Sequence, residues 1–266
     1  MDDKAAPSDP RASPGSSDSA AVFPIEPLLL AAARVNTFQG NRLLTNASGF
    51  FFERGPRLFL VTSRHVMIDA PSQHFPDSVE IELHNDAHNM ANSIGFSMPL
   101  YQGGKSVWRQ GSDTGGDIDV AVLEIERAAL PGSTVLRAFT PEHLYGAGDE
   151  VDIGTSLLVV GFPLGFHDVL HHLPVVRHAI NASAFGLRFQ GKGYFLTDAR
   201  THRGTSGAPV VMRARGRHPA RGELPWLLLG VHSSRLDVGT RDQQQDEALG
   251  LNSAWYADIL LTLTEH

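Results

Sequence analysis

A serine hydroxyl set among residues too small to shield it is a candidate nucleophile, and "RGTSGAPVV" (203–211) places Ser206 in that setting. A hydroxyl attacks poorly at its own pKa, so it needs a base to take its proton and a third group to orient that base. Of the 13 histidines, His65 has the most informative surroundings. It closes the apolar run "LFLVTSRHV", where a strand leading into a turn can hold an imidazole at a cleft edge. Two carboxylates, Asp117 and Asp119, open the apolar run "DIDVAVLEI". A charge entering a buried strand needs a specific partner. The two lie two residues apart and point to the same side of a strand, so periodicity does not choose between them. The order imidazole, carboxylate, hydroxyl is one of the known chain orders of a Ser-His-Asp triad. The alternative order, with a G-x-S-x-G elbow, fails because Ala208 stands where its last glycine would be.

The elements that must position these groups read as β. "ARVNTF", "NRLLTNASGFFFERG", "RLFLVTSRHV" and "DSVEIELH" are short apolar-rich runs, with Gly55-Pro56 as a hairpin signal between two of them. Residues 84–116 show little periodicity, with "PLYQGGKSVW" as one strand, and "DIDVAVLEIE" then has the apolar run of a buried strand. "LPGST" and "PEHLYGAGDE" mark a connector over 131–150. A second series follows: "SLLVVGFP", "VVRHAINASAFG", "GYFLTDA", "GAPVVM", "WLLLGVHSS" and "GLNSAWYA". Helical spacing of Trp255, Ile259 and Leu263, with Ser253 as N-cap, predicts a C-terminal helix over 253–265. The pattern predicts an all-β fold of two six-stranded antiparallel barrels, the first over 34–130 and the second over 151–252. Residues 1–33 are expected to be a disordered tail, Ser/Pro/Ala/Asp-rich and acidic at its start rather than a signal peptide. No regulatory domain is expected beyond the terminal helix.

Composition narrows the classes further. The 26 glycines and 16 prolines suit a turn-rich β chain. With 29 acidic and 22 basic residues the net charge is −7, which argues against nucleic acid as a partner. Arg213, Arg215, Arg217 and Arg221 in "RARGRHPAR" read as a solvated loop. The chain has no cysteine, so disulfides and thiolate chemistry are excluded. "PLLLAAARV" is too short to span a bilayer, so no membrane association is expected and a cytoplasmic location is. His84 and His88, and the histidines of "HDVLHH" (167–172), lack the helical or carboxylate context of a metal site. No metal or organic cofactor is expected.

"LVTSRHV", "DIDVAVLEI" and "GTSGAPVV" together resemble the three catalytic blocks of trypsin-like serine peptidases, and bacterial members of the HtrA and glutamyl-endopeptidase type most of all. "VVGFPLGF" is similar to the G-[YFN]-P-x-G segment that begins their second barrel. The resemblance spans roughly residues 35–260. It implies an endopeptidase acting on peptide or protein substrates. His65 would be the base, Asp119 rather than Asp117 its orienter, Ser206 the nucleophile, and the N–H groups of Gly204 and Ser206 the oxyanion hole. Thr205 departs from the aspartate of digestive members, which argues against activation by a freed N-terminus. His232 in "GVHSS", with Ser233, and Thr201, five residues before Ser206, match the pocket of glutamyl endopeptidases. Arg200 would add positive charge to that pocket if turned inward. An acidic residue before the scissile bond, a small or apolar one, or no usable pocket all stay open. The rival reading is a peptidase fold kept as a latent or silent binding module.

Overall fold

Residues 25–214, 224–236 and 250–265 are described by a computed structural model. The N-terminal half contributes β1 (Ala32–Gln39), β2 (Arg42–Arg54), β3 (Arg57–Thr62), β4 (Ser78–His84), β5 (Ser93–Pro99), β6 (Tyr101–Gln102), β7 (Lys105–Ser106), β8 (Trp108–Asp113) and β9 (Gly116–Ile125). Seven of them form an antiparallel sheet in the order β5-β4-β1-β2-β3-β9-β8, and β6 pairs with β7 apart from it. The C-terminal half contributes β10 (Ser156–Gly161), β11 (Val175–Asn181), β12 (Tyr194–Asp198), β13 (Pro209–Arg213), β14 (Trp226–Arg235) and β15 (Leu251–Tyr256). These close into a six-stranded barrel in the order β10-β11-β12-β15-β14-β13. Among the described residues two short α-helices stand outside the strands, α1 (Arg64–Met67) directly after β3 and α2 (Ile259–Leu263) toward the C-terminal end. Gly55 takes φ +58° in the two-residue turn that pairs Arg54 with Arg57, as the Gly-Pro signal predicts.

Period-2 alternation explains how the two halves meet. On β9, Ile118, Val120 and Val122 face a core shared by both halves, while Ala121, Leu123 and Ile125 face the core of the N-terminal sheet. The same split recurs on β3, where Phe59 and Val61 join the shared core and Leu58 and Leu60 the local one. Phe50 and Phe52 of β2, Phe162, Leu228 and Trp255 complete the shared layer. Phe139, in the connector, is fully buried edge-on against Phe50, with centroids 5.7 Å apart. The connector therefore helps to join the halves.

Two expectations need correction. Residues 253–256 belong to strand β15, which pairs with both β12 and β14, and the helix is confined to Ile259–Leu263. Trp255, Leu260 and Leu263 all reach the shared core. A strand abutting a short helix thus mimics helical spacing. The tail also ends earlier than residue 33. Pro27–Leu30 form a 3-10 turn, and Leu28, Ala31 and Ala33 are buried because "LLLAAA" is too apolar to remain in water. Residues 1–24, and Arg215, Arg217 and Arg221, lie outside the described residues. Among the described residues no helix is long and apolar enough to cross a membrane.

Candidate active site

Asp119 sits in the β9 phase that faces the N-terminal core, two residues before Ala121, and α1 packs Val66 and Met67 into that same core. Helix and strand end thereby bring His65 onto Asp119. The backbone N–H of His65 donates to Asp119 Oδ1 at 2.8 Å, and the ring Nδ1 lies 2.7 Å from Asp119 Oδ2. Asp117, one strand repeat farther out, is largely exposed and pairs with Arg64 at 3.3 Å. The geometry therefore distinguishes the two carboxylates that strand phase alone leaves equivalent.

The electrostatics follow from those contacts. Burial works against a charged imidazole at His65, but the hydrogen bond and negative charge of Asp119 outweigh it and hold its pKa above the ordinary value. Burial would raise the Asp119 pKa. The hydrogen bond and charge of His65, the Ser233 hydroxyl and the His65 N–H outweigh that cost, and the carboxyl stays below its ordinary value. With Nδ1 on Asp119, the other ring nitrogen, Nε2, is left as the basic atom toward the cleft that His65 lines.

Ser206 lies in the loop between β12 and β13, held by main-chain bonds. Thr205 N donates to His202 O at 3.1 Å, Gly207 N to His232 O at 2.8 Å, and Ala208 N to Thr205 O at 3.0 Å. The Ser206 carbonyl accepts from Ser48 N of β2 at 2.9 Å, which ties the loop to the opposite half. Gly207 takes φ +86°, and a Cβ there would fall 2.1 Å from Ser48 O. No other residue fits. The Ser206 hydroxyl donates to Ser233 O at 3.0 Å, and the Ser233 hydroxyl donates to Asp119 Oδ2 at 2.5 Å. Ser233 was expected in a substrate pocket. Its hydroxyl instead serves the carboxylate, because the bulged end of β14 turns it toward β9.

Gly204 takes φ +88°, and the Arg203 carbonyl before it accepts from Leu164 N at 2.6 Å. In a planar trans peptide N–H and C=O point in opposite directions, so the Gly204 N–H points away from Leu164. Neither that N–H nor the one of Ser206 has an acceptor among the described residues. Ser48, which sequence reasoning missed, locks this arrangement. Its buried hydroxyl donates to Gly204 O at 2.7 Å and accepts from Phe162 N at 2.9 Å. Its one visible signal is a small hydroxyl residue ahead of the apolar run "FFF".

Of the expected pocket residues, Thr201 and His232 are buried and Arg200 is exposed, its carbonyl accepting from Arg177 at 2.7 Å. Thr201 donates to Asn252 Oδ1 at 2.5 Å. Burial, reinforced by nearby His65, pushes His232 down to about 4, so its ring is neutral at pH 7, and its Nδ1 has no hydrogen-bond partner among the described residues. An open cleft of about 650 Å³ is lined by Ser206 and by none of the four expected pocket residues. It is bounded by His65, Gly204, the β1–β2 hairpin, residues 72–75 and Leu164. No group of three or more metal-ligating side chains occurs among the described residues.

A closed antiparallel barrel lies beside a second antiparallel sheet, and an imidazole–carboxylate pair and a serine face one cleft between them. The profile of the trypsin-like peptidase domain matches residues 47–218, and the chain belongs to that family. Its fold is similar to the crystal structure of the serine endoprotease from Yersinia pestis, with a TM-score of 0.51 and 18% identity. That likeness covers 89% of this chain and 62% of the other, so the chain spans about three-fifths of that protein's length. No curated protein sequence matches the chain.

Proposed function

We propose that the chain is a serine endopeptidase in which Ser206 attacks the carbonyl carbon of a peptide bond. The observation that carries this reading is the Asp119 carboxylate, shared between the His65 ring and Ser233, with Ser206 opening onto the same cleft. As attack begins, the Ser206 hydroxyl turns from Ser233 O and gives its proton to His65 Nε2. Asp119 stays ionised and stabilises the imidazolium that forms. The oxyanion accepts hydrogen bonds from the N–H groups of Gly204 and Ser206. His65 then protonates the departing amine, leaving an acyl group on Ser206 Oγ. Water enters the cleft, His65 takes its proton, and hydrolysis frees the acid and restores the hydroxyl. No metal or organic group is needed for these steps.

On the acyl side, the Thr201 hydroxyl is already donated to Asn252, so it is the neutral ring of His232, whose Nδ1 has no partner among the described residues, that favours an acidic side chain before the scissile bond. A panel of chromogenic peptides with Glu, Ala or Leu at that position tests the preference, and equal turnover would remove it. The catalytic reading is tested by labelling with a fluorophosphonate. Wild type should gain one adduct, on Ser206, and His65→Ala should gain little or none. An unlabelled wild type would return the fold to a binding role.

A further inference from the structure

In a chain with more acids than bases, a guanidinium without a partner is unusual, and where such groups collect is informative. Among the described arginines, Arg34, Arg57, Arg64, Arg109, Arg127 and Arg188 each pair with a carboxylate. Arg54, Arg137 and Arg177 donate to main-chain carbonyls, and Arg213 lies over the Trp226 ring. Three have no side-chain partner among the described residues: Arg42, Arg200 and Arg203. Two of these three, Arg42 and Arg203, line the open cleft that also contains His65 and Ser206. Both are exposed, and each comes from a different wall. Arg42 opens β2 opposite Gln39 at the hairpin. Arg203 precedes the oxyanion glycine. One carboxylate lines the cleft, Asp69, which accepts from the Ser72 hydroxyl and keeps its charge, so the two arginines still leave the lining net positive.

The side of Ser206 on which this cleft lies fixes what it meets. His65 protonates the leaving amine, so chain on the His65 side follows the scissile bond. Resting on the proposed peptidase reading, we infer that Arg42 and Arg203 select substrates with acidic residues in the first positions after the scissile bond. Each guanidinium presents a planar, cationic fork suited to a carboxylate. Leu164 and Phe75, exposed in the same cleft, flank the path without competing for charge. Exposure makes the contribution of each arginine modest and sensitive to salt.

The test compares internally quenched peptides identical up to the scissile bond, carrying Glu, Gln or Lys at the two positions after it. Wild type should rank Glu above Gln above Lys in kcat/KM, with each charge worth about threefold to fivefold at low salt and the spread narrowing as salt rises. Arg42→Glu combined with Arg203→Glu should invert the order within a single variant, which makes folding and basal activity internal to the comparison. An order unchanged by the substitutions, or a wild-type preference for Lys, overturns the inference. Failure of the catalytic reading is separable, because Ser206→Ala protein can be titrated with labelled Glu and Gln peptides by fluorescence anisotropy. Tighter binding of the Glu peptide, lost with both arginines reversed, supports the inference even without turnover. Equal binding removes it while fluorophosphonate labelling still decides the chemistry.

Discussion

Replacing Gly204 with alanine separates backbone strain from oxyanion chemistry. At φ +88° an alanine pays the left-handed conformational cost, roughly 1–2 kcal/mol. Its Cβ would also stand 2.6 Å from Phe162 O and 2.9 Å from Leu164 N, both main-chain atoms that no side-chain rotation can clear. Leu164 N is the donor that fixes the Arg203 carbonyl, so relief of the clash must shift the Arg203–Gly204 peptide and its N–H. Loss of one oxyanion donor lowers kcat by about a hundred- to a thousandfold. Gly186 supplies the control, since it has φ +84° and open space where its Cβ would be. The assay is kcat on a fluorogenic peptide beside the urea midpoint of each variant. Gly186→Ala should lose roughly 1–2 kcal/mol of stability and keep its kcat, whereas Gly204→Ala should lose both. A folded Gly204→Ala enzyme with kcat within about tenfold of wild type, well short of a lost donor, would refute the oxyanion assignment.

Three other outcomes are expected. The raised pKa of His65 places the acid limb of kcat/KM above 6.5, since the base acts only when neutral, and a pH–rate profile reads it directly. Ser233→Ala removes a hydrogen bond that favours ionised Asp119, leaving more of the carboxylate's charge for the imidazolium. The limb should move further up, and kcat should fall by about tenfold through lost orientation of the pair. An unshifted limb would mean that Ser233 does not act through Asp119. Burial holds His232 neutral in the folded chain, while its unfolded form protonates near 6.5. Its contribution is therefore complete above pH 6.5 and lost as pH falls toward about 4, by up to about 3 kcal/mol. Relative to wild type, His232→Gln should lose less stability between pH 7 and pH 4.5 in denaturant titrations.

The apolar runs and their punctuation made most strands legible, because burial on one or both faces writes a period of two or a continuous run into the sequence. Side-chain type also singled out Ser206 and His65, which the fold brings to one cleft. What stayed hidden depended on contacts between distant segments. Asp117 and Asp119 share a strand face, and beyond the family resemblance it is the packing of α1 against β9 that sets them apart. Ser48 looks like an ordinary hydroxyl residue and Ser233 like a pocket residue, because the hydrogen bonds that define them cross 114 to 156 positions of chain. Residues 253–256 misled for a local reason, since a strand and a short helix feeding one core imitate an amphipathic helix.

Whether Ser206 cleaves peptide bonds is read from mass-spectrometric mapping of new termini in a denatured protein digest. Wild type and Ser206→Ala would be incubated with that digest in parallel. New termini should form with wild type alone, enriched for acidic residues after the cleaved bond. Identical peptide maps from the two proteins would contradict cleavage by Ser206.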